Sequence, residues 1–489
     1  MKRNIKLNSV LPLLFLISSI AGADEGDYKH ILKKNYQLVY DSPNYVQTIS
    51  DMFTDGMFYG RLRSNTFLYN WEEETASQNS HFITGIGGSL VYKTATFLDT
   101  DLTAGLYYSK AFFDEDSDSV SSLKSGKDLL SRYDYSKGDG RAMAVLGQAY
   151  LSYKGLPETE IRVGRQLVET FYTKSNDTKM IPNTFDGVVV KNRTIPNTAL
   201  KIAYLTKQKL RDHTTSHSVL MYDDSDTANK STWNGNDDSA MHKGLSYTNL
   251  TAAGKETDAP LITGDFSNRY IENLKLDASF YVVPDLLSQA MAEANYRAKV
   301  GKIVITPGIR YIKQFDNGAG EIGGASYNGN LAGVSGASSG YKDASSLDSQ
   351  MIAARLVGIY KNYNINLGYS NVLDEADLVT PWRGFPTAGY TRSMARYNWM
   401  ANTKSYRAQL TINSNQSGAY EDLVTQLSFL HTDADESKGY FDENYYYIGF
   451  IQNIPSMSDL QWRLRLGYTD TKELYADSLD SRLEINYLF

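Results

Sequence analysis

The chain has 489 residues, a formal net charge of −7, a mean hydropathy of −0.41 and no cysteine. Without thiols it can form no disulfide, thiolate-zinc or haem-thiolate site. Its acidic balance suits nucleic acid poorly, and after the N-terminal segment no stretch approaches the roughly 20 consecutive apolar residues of a membrane helix.

In chain order, Lys2, Arg3 and Lys6 precede the apolar stretch Val10 to Ile20, and Ala21-Gly22-Ala23 fits a cleavage site. This predicts a secretory signal peptide over residues 1–23 and a mature chain from Asp24. The signal takes three of the 49 basic residues, leaving 46 Lys and Arg against 56 Asp and Glu, or −10. Residues 24–55 read as an N-terminal lead-in, and residues 56–489 as a transmembrane antiparallel β-barrel of the all-β class. Strands are expected near 56–69, 82–94, 101–110, 141–154, 159–166, 185–192, 198–207, 259–268 and 274–283. The remainder lie near 288–298, 302–313, 351–360, 363–371, 405–413, 423–431, 444–453, 459–470 and 480–489. Eighteen is an even count, as bacterial single-chain barrels require.

The reason for strands is a period of two. Phe58, Gly60, Leu62, Ser64 and Thr66 alternate with Tyr59, Arg61, Arg63 and Asn65. The last segment places Leu483, Ile485, Tyr487 and Phe489 on one face and Arg482, Glu484 and Asn486 on the other. Segments starting at Leu274, Tyr363, Tyr406 and Leu460 follow the same rule, whereas residues 444–453 do not reveal their outward face. Alternate side chains point to opposite sides of a strand, so one face meets lipid and the other water. A soluble sandwich also alternates; arginines in the polar rows and aromatics near the apolar ends favour the membrane barrel. Trp462, Tyr468, Tyr487 and Phe489 suit interfacial girdles. Connections alternate short (97–100, 155–158, 194–197, 361–362, 454–457) and long (111–140, 167–184, 208–258, 314–350, 372–404), as periplasmic turns and outer loops do.

Val163-Gly164-Arg165-Gln166, a loop, and then Met180-Ile181-Pro182-Asn183-Thr184-Phe185-Asp186-Gly187 resemble the constriction-loop region of the OprD-type (Opr family) outer-membrane porins. The first strand, with Arg61 and Arg63, and the final strands resemble that family as well. The resemblance implies an eighteen-stranded monomer, sometimes a weak trimer, with an inward-folded third outer loop. It also implies a ladder of basic side chains that guides carboxylate-bearing solutes. Lys179 stands where the family usually has an arginine before the Met-x-Pro run, which leaves solute choice open.

The polar rows supply the ladder: Arg61, Arg63, Arg297, Arg310, Arg355, Arg407, Arg463 and Arg465. Guanidiniums stay charged and grip carboxylates in a fork. The alternative is that they pair with Asp277, Glu293 and Glu484 to brace the wall. If segment 167–184 folds inward, Glu169 and Asp177 beside Lys174 and Lys179 would face the arginines and set up a transverse field. No enzyme motif stands out: the His213/His217 spacing lacks the glutamate of a zinc-protease pattern, and there is no G-x-S-x-G elbow. The sequence therefore predicts a non-enzymatic porin of a Gram-negative outer membrane, with no cofactor and no metal. Its partners would be outer-membrane lipid and lipopolysaccharide, small anionic or zwitterionic solutes, and the barrel-assembly machinery through the strand ending at Phe489. Competing readings are a barrel enzyme of phospholipase type, with His431 or His81 at a strand end, and a closed adhesive or structural barrel. The acidic run Asp114 to Asp118 could hold calcium, although hydration explains it more simply.

Overall fold

In a computed structural model, the described residues are 30–33, 36–39, 43–75, 78–113, 123–131, 134–135, 138, 140–220, 245, 247–323, 341–343, 345–414 and 420–489. The expected signal segment 1–23 and the run Asp114 to Asp118 lie outside them. Eighteen antiparallel strands close into one barrel. They are β1 (Met57–Trp71), β2 (His81–Lys93), β3 (Thr100–Phe113), β4 (Ala142–Leu156), β5 (Thr159–Gln166), β6 (Thr184–Asn192) and β7 (Thr198–Lys209). Next come β8 (Leu261–Asn268), β9 (Leu274–Val283), β10 (Leu287–Tyr296, continued by Ala298–Val300), β11 (Ile303–Asp316), β12 (Ser349–Tyr360) and β13 (Tyr363–Val372). The last are β14 (Thr403–Ser414), β15 (Leu423–Asp433), β16 (Glu443–Ile454), β17 (Met457–Thr471) and β18 (Ser478–Leu488).

Each strand pairs with its neighbours in the chain, and β18 pairs with β1. Closure leaves no unpaired edge, which is the condition for backbone to cross hydrocarbon. The terminal aromatic sits at the seam, where Gly60 and Phe489 exchange backbone hydrogen bonds of 2.8 and 3.1 Å.

The apolar rows face outward. Leu62, Leu106, Ile202, Ile309 and Ile365 are exposed, while Arg63, Tyr107, Ala203 and Arg310 beside them in sequence are buried. A soluble sandwich would show the reverse. Tyr446 is exposed while Tyr445 is buried, which settles the facing of the segment 444–453. Tyr468 is exposed on the outward face at the loop end, and Phe489 is exposed at the turn end with Trp462 and Tyr487 half-buried near it.

Eight connections lie at one end, among them the short turns 157–158, 301–302, 361–362 and 455–456. The other end carries the outer loops, numbered in chain order: L1 (72–80), L2 (114–141), L3 (167–183), L4 (210–260), L5 (284–286), L6 (317–348), L7 (373–402), L8 (434–442) and L9 (472–477). At the turn end, the lead-in forms a short helix, Ile49–Thr54, capped by the Thr48 hydroxyl at 3.1 Å from the Asp51 N–H. It is tied to the turn after β2 by the Ala95 N–H donating to the Met52 carbonyl.

One expectation needs correction. The strand pattern places Arg297 in the lumenal row, but the ladder breaks there: Arg297 is exposed at the turn end, and its N–H bonds the Asn273 carbonyl.

The lumen is not an open pipe. Loops L3, L4, L6 and L7 fold inward and bury Tyr172, Val219, Leu347, Leu378 and Trp382 against the inner faces of β6 to β13. Tyr172, Tyr281 and Trp382 pack edge to face with centroids 4.8 Å apart, a favoured aromatic geometry. A second cluster joins Leu129 of L2 and Met180 and Ile181 of L3 to Phe67 and Ile83. Gly85 makes room for it, since a Cβ there would lie 3.0 to 3.1 Å from Met180 and Leu129.

Candidate functional site

The constriction starts at the neck of L3. The two halves of the motif that resembles a porin family are register partners: Gly164 opposes Gly187, Arg165 opposes Asp186, and Gln166 opposes Phe185. Gly164 has φ of +123°, and a side chain there would run into the Ala149 carbonyl; only glycine tolerates this backbone. Arg165 forks onto Asp186 at 2.7 and 2.9 Å. The signature is thus a structural clasp from which the loop leaves in a fixed direction.

L3 then crosses to the far wall. Arg63 donates to the Asp177 carboxylate at 2.6 Å, and Arg61 donates to its other oxygen. Asn65 donates to the carbonyls of Thr178 and Lys179 at 2.8 and 3.0 Å. Lys179 meets Asp128 of L2 at 3.0 Å and lies 3.8 Å from the Phe67 ring centroid, a cation–π contact. Asp128 also holds Arg211 of L4 at 2.5 Å. Burial alone would raise the Asp128 carboxyl, but Arg211, Lys179 and Arg383 hold it far below the usual range. Burial pushes Lys179 down to about 7 against the pull of Asp128.

The inward fold of the loop agrees with expectation; the open transverse field does not. Asp177 touches Arg61 and Arg63 instead of facing them across a gap. Glu169 accepts from the Ser175 N–H at 2.7 Å, and Lys174 stays 3.8 Å from it. Opposite charges free to approach collapse to contact, where their attraction is greatest.

L7 pairs with L3 through backbone. The Lys174 N–H donates to the Trp382 carbonyl, and the Gly384 N–H to the Tyr172 carbonyl, each at 2.9 Å. This brings Arg383 and Arg392 into the lumen. Arg310 and Arg355 anchor L7 from behind. Both pair with Glu293, at 2.5 and 3.1 Å, and donate to the carbonyls of Pro386 and Ala388 (Arg310) and Gly389 (Arg355). The bracing role therefore fits these two and Arg63, which shares Glu484 with Arg465. Asp277 pairs with Lys275 instead.

Between these loops and β14 to β18 lies a cavity of about 300 Å³. Its basic lining is Arg407, Arg463, Arg465 and Arg482 from the wall, and Lys124, Lys127, Lys179, Arg211, Arg383 and Arg392 from the loops; Asp128 is the one acidic residue among the described residues that line it. A second cavity, of about 660 Å³, is bordered by Arg61, Lys93, Arg162, Lys191 and Lys201 together with Glu169, Asp177 and Asp265. The tip of L3 separates the two, with Asn176, Thr178 and Lys179 facing the first and Asp177 the second. An apolar groove of about 590 Å³, lined by Ala408, Leu427, Ile448 and Leu466, lies on the outward face.

Of the eight arginines expected from sequence, three reach the first cavity, two clamp L3, two anchor L7 and one lies outside. Arg482 was legible in the polar row of the last strand. Arg211, Arg383 and Arg392 have no periodic signal. His81 is held by the carbonyls of Asn79 and Ser125, and His431 by the Asn444 side chain. His213 and His217 are buried in L4 with ring centroids 4.9 Å apart, and among the described residues no group of three or more ligand types could hold a metal.

Residues 121–342 match the model of a family described as outer membrane porin, OprD family. OccK9 (OpdG) of Pseudomonas aeruginosa is similar at 16% identity and a TM-score of 0.68, over 90% of this chain and 99% of that one. OccAB3 of Acinetobacter baumannii is similar at 15% identity and 0.67, over 89% and 100%. OpdK of Pseudomonas aeruginosa, solved with vanillate, is similar at 13% identity and 0.65, over 90% and 99%. No curated protein sequence matches the chain. The chain has the outer-membrane porin fold of the OprD family.

Proposed function

We propose that the chain works as a non-enzymatic outer-membrane porin of a Gram-negative bacterium, passing small hydrophilic solutes by diffusion and favouring carboxylate-bearing anions and zwitterions. The observation that carries the reading is the lining of the narrow cavity, ten basic side chains against one carboxylate. A water-filled cavity with low-dielectric walls focuses such a field. An anion arriving between L2 and L7 would meet Lys124, Lys127 and Arg392, then the wall arginines Arg407, Arg463 and Arg465. These stay ionised and offer forked donors to a carboxylate. Zwitterions could orient with the amine toward Asp128. Below the L3 tip, Lys191 and Lys201 would continue the basic path beside Asp265 and Glu169. No step requires a covalent change, because the chain supplies a graded field and not a nucleophile.

The same reading places outer-membrane lipid and lipopolysaccharide against the outward face, the barrel-assembly machinery at the strand before Phe489, and a monomer or weak trimer in the bilayer. Single-channel reversal potentials test the solute preference. Replacing Arg407, Arg463 and Arg465 together by alanine should lower the anion-to-cation permeability ratio severalfold. An unchanged ratio would reject the arginine path, and the lack of any steady conductance would favour a closed barrel.

A further inference from the structure

We propose that the 300 Å³ cavity selects anions carrying two or more negative charges, such as phosphate, pyrophosphate or a tricarboxylate, over monocarboxylates of similar size. This deepens the porin reading and rests on it.

The argument starts from how the lining charges are balanced. Arg482 is matched by Asp480 at 2.5 Å, Lys179 and Arg211 share Asp128, and Arg465 shares Glu484 with Arg63. Lys124, Arg392 and Arg407 touch no carboxylate among the described residues. Neutral groups position them instead. The Arg392 guanidinium carbon lies 4.3 Å from the Phe385 ring centroid and 5.5 Å from that of Tyr397, and it donates to the Arg396 carbonyl at 2.5 Å. Among the described residues Arg407 reaches only the Tyr390 carbonyl, at a long 3.4 Å. Lys124 rests 5.7 Å from the Trp71 ring centroid. The Nε atoms of Arg392, Arg407 and Arg465 are buried without a hydrogen-bond partner.

Arg392 and Arg407 are half-buried and Lys124 is exposed to the lumen; cations held by rings and carbonyls keep their full charge, and covering part of one without a counter-ion is costly. Three such cations lining one cavity call for more than one negative charge. A monocarboxylate would balance one and leave the others repelling. A solute with several charged oxygens could meet Arg392 from L7 and Arg407 from the wall at once, which a single carboxylate cannot do in two orientations together. The volume is at the small end for ligand cavities, so the charges must be carried compactly. Phosphoryl and polycarboxylate groups share that chemistry.

The experiment uses the purified full chain in planar bilayers of neutral lipid at pH 8 and matched ionic strength. Block of the chloride current is measured for acetate, phosphate, pyrophosphate and propane-1,2,3-tricarboxylate. The half-blocking concentration for the multivalent anions should be about tenfold or more below that for acetate, because attraction scales with the product of the charges. Block by the phosphates alone or by the tricarboxylate alone at that level also supports the proposal and narrows the class. Arg392→Met with Arg407→Met should raise the multivalent half-blocking concentration about tenfold and that of acetate by a clearly smaller factor, so that the preference for multivalent anions shrinks. Equal block by monovalent and multivalent anions in the unmodified chain overturns the proposal, whatever the variant does. Steady conductance without valence dependence rejects this inference alone; no conductance at all rejects the porin reading with it.

Discussion

The two halves of the lumen are built to one outward rule and opposite inward rules. Along β7 to β13 the inner face carries Leu205, Leu261, Tyr281, Leu287, Ile312, Met351 and Val372, and loops L3, L4, L6 and L7 pack onto it. Along β14 to β18 it carries Arg407, Gln409, Tyr447, Arg463, Arg465 and Arg482, and a cavity persists there. Both halves show the same apolar rows to the outside. The outward row therefore decides that the chain sits in a bilayer, while the inward row decides where loops dock. Apolar surface inside a barrel is covered at roughly 25 cal/mol per Å², whereas arginine is cheaper to leave beside water. A pore on one side and a packed plug on the other follow from one difference in side chains.

The comparison breaks most sharply at Trp382, which is fully buried and donates its indole N–H to the Val219 carbonyl. Trp382→Ala removes the ring that joins L7 to Tyr281, at a cost of about 3–5 kcal/mol to the docked loops. The expected result is faster protease cleavage within L7 and a larger, noisier single-channel current, with the barrel still resisting detergent at room temperature. An unchanged current would mean that the packed half does not set the pore.

A somewhat smaller effect is expected on the open side. Asp177→Asn leaves two buried guanidiniums without the carboxylate they share. Stranding buried charge costs several kcal/mol, and we expect about 3 kcal/mol because Glu484 stays beside Arg63. The tip of L3 should detach while the clasp at Arg165 and Asp186 holds. The two cavities would then merge, and permeation of solutes larger than acetate should rise in liposome swelling. If size selectivity does not change, L3 is not the divider.

Which features could be read in advance follows the same division. The eighteen strands and the facing of nearly all of them were visible because alternation is local. Arg407, Arg463 and Arg465 inherit their place from that alternation, and Arg482 could have been added on the same grounds. Arg383 and Arg392 are placed by L3 pairing with L7, contacts between residues about two hundred positions apart that leave no periodic trace. Arg310 and Arg355 lie on the expected face, but their role depends on the carbonyls of Pro386, Ala388 and Gly389 reaching them. Arg297 failed for a local reason: the apolar alternation of β10 ends at Tyr296, and the backbone breaks before resuming at Ala298.

The smallest expected effect sharpens the charge contrast at the L3 tip. Lys179 is buried against Phe67, and burial brings its ammonium down to about 7. Below that pH it is protonated and adds one positive charge to the cavity; as the pH rises through about 7 the proton leaves and the charge is lost. Anion preference should thus fall modestly between pH 6 and pH 8, by less than the triple arginine variant achieves, since nine other basic groups line the same space. Lys179→Met should give the lower, high-pH ratio at both pH values. Should the variant keep the full pH dependence, the titrating group lies elsewhere in the lumen.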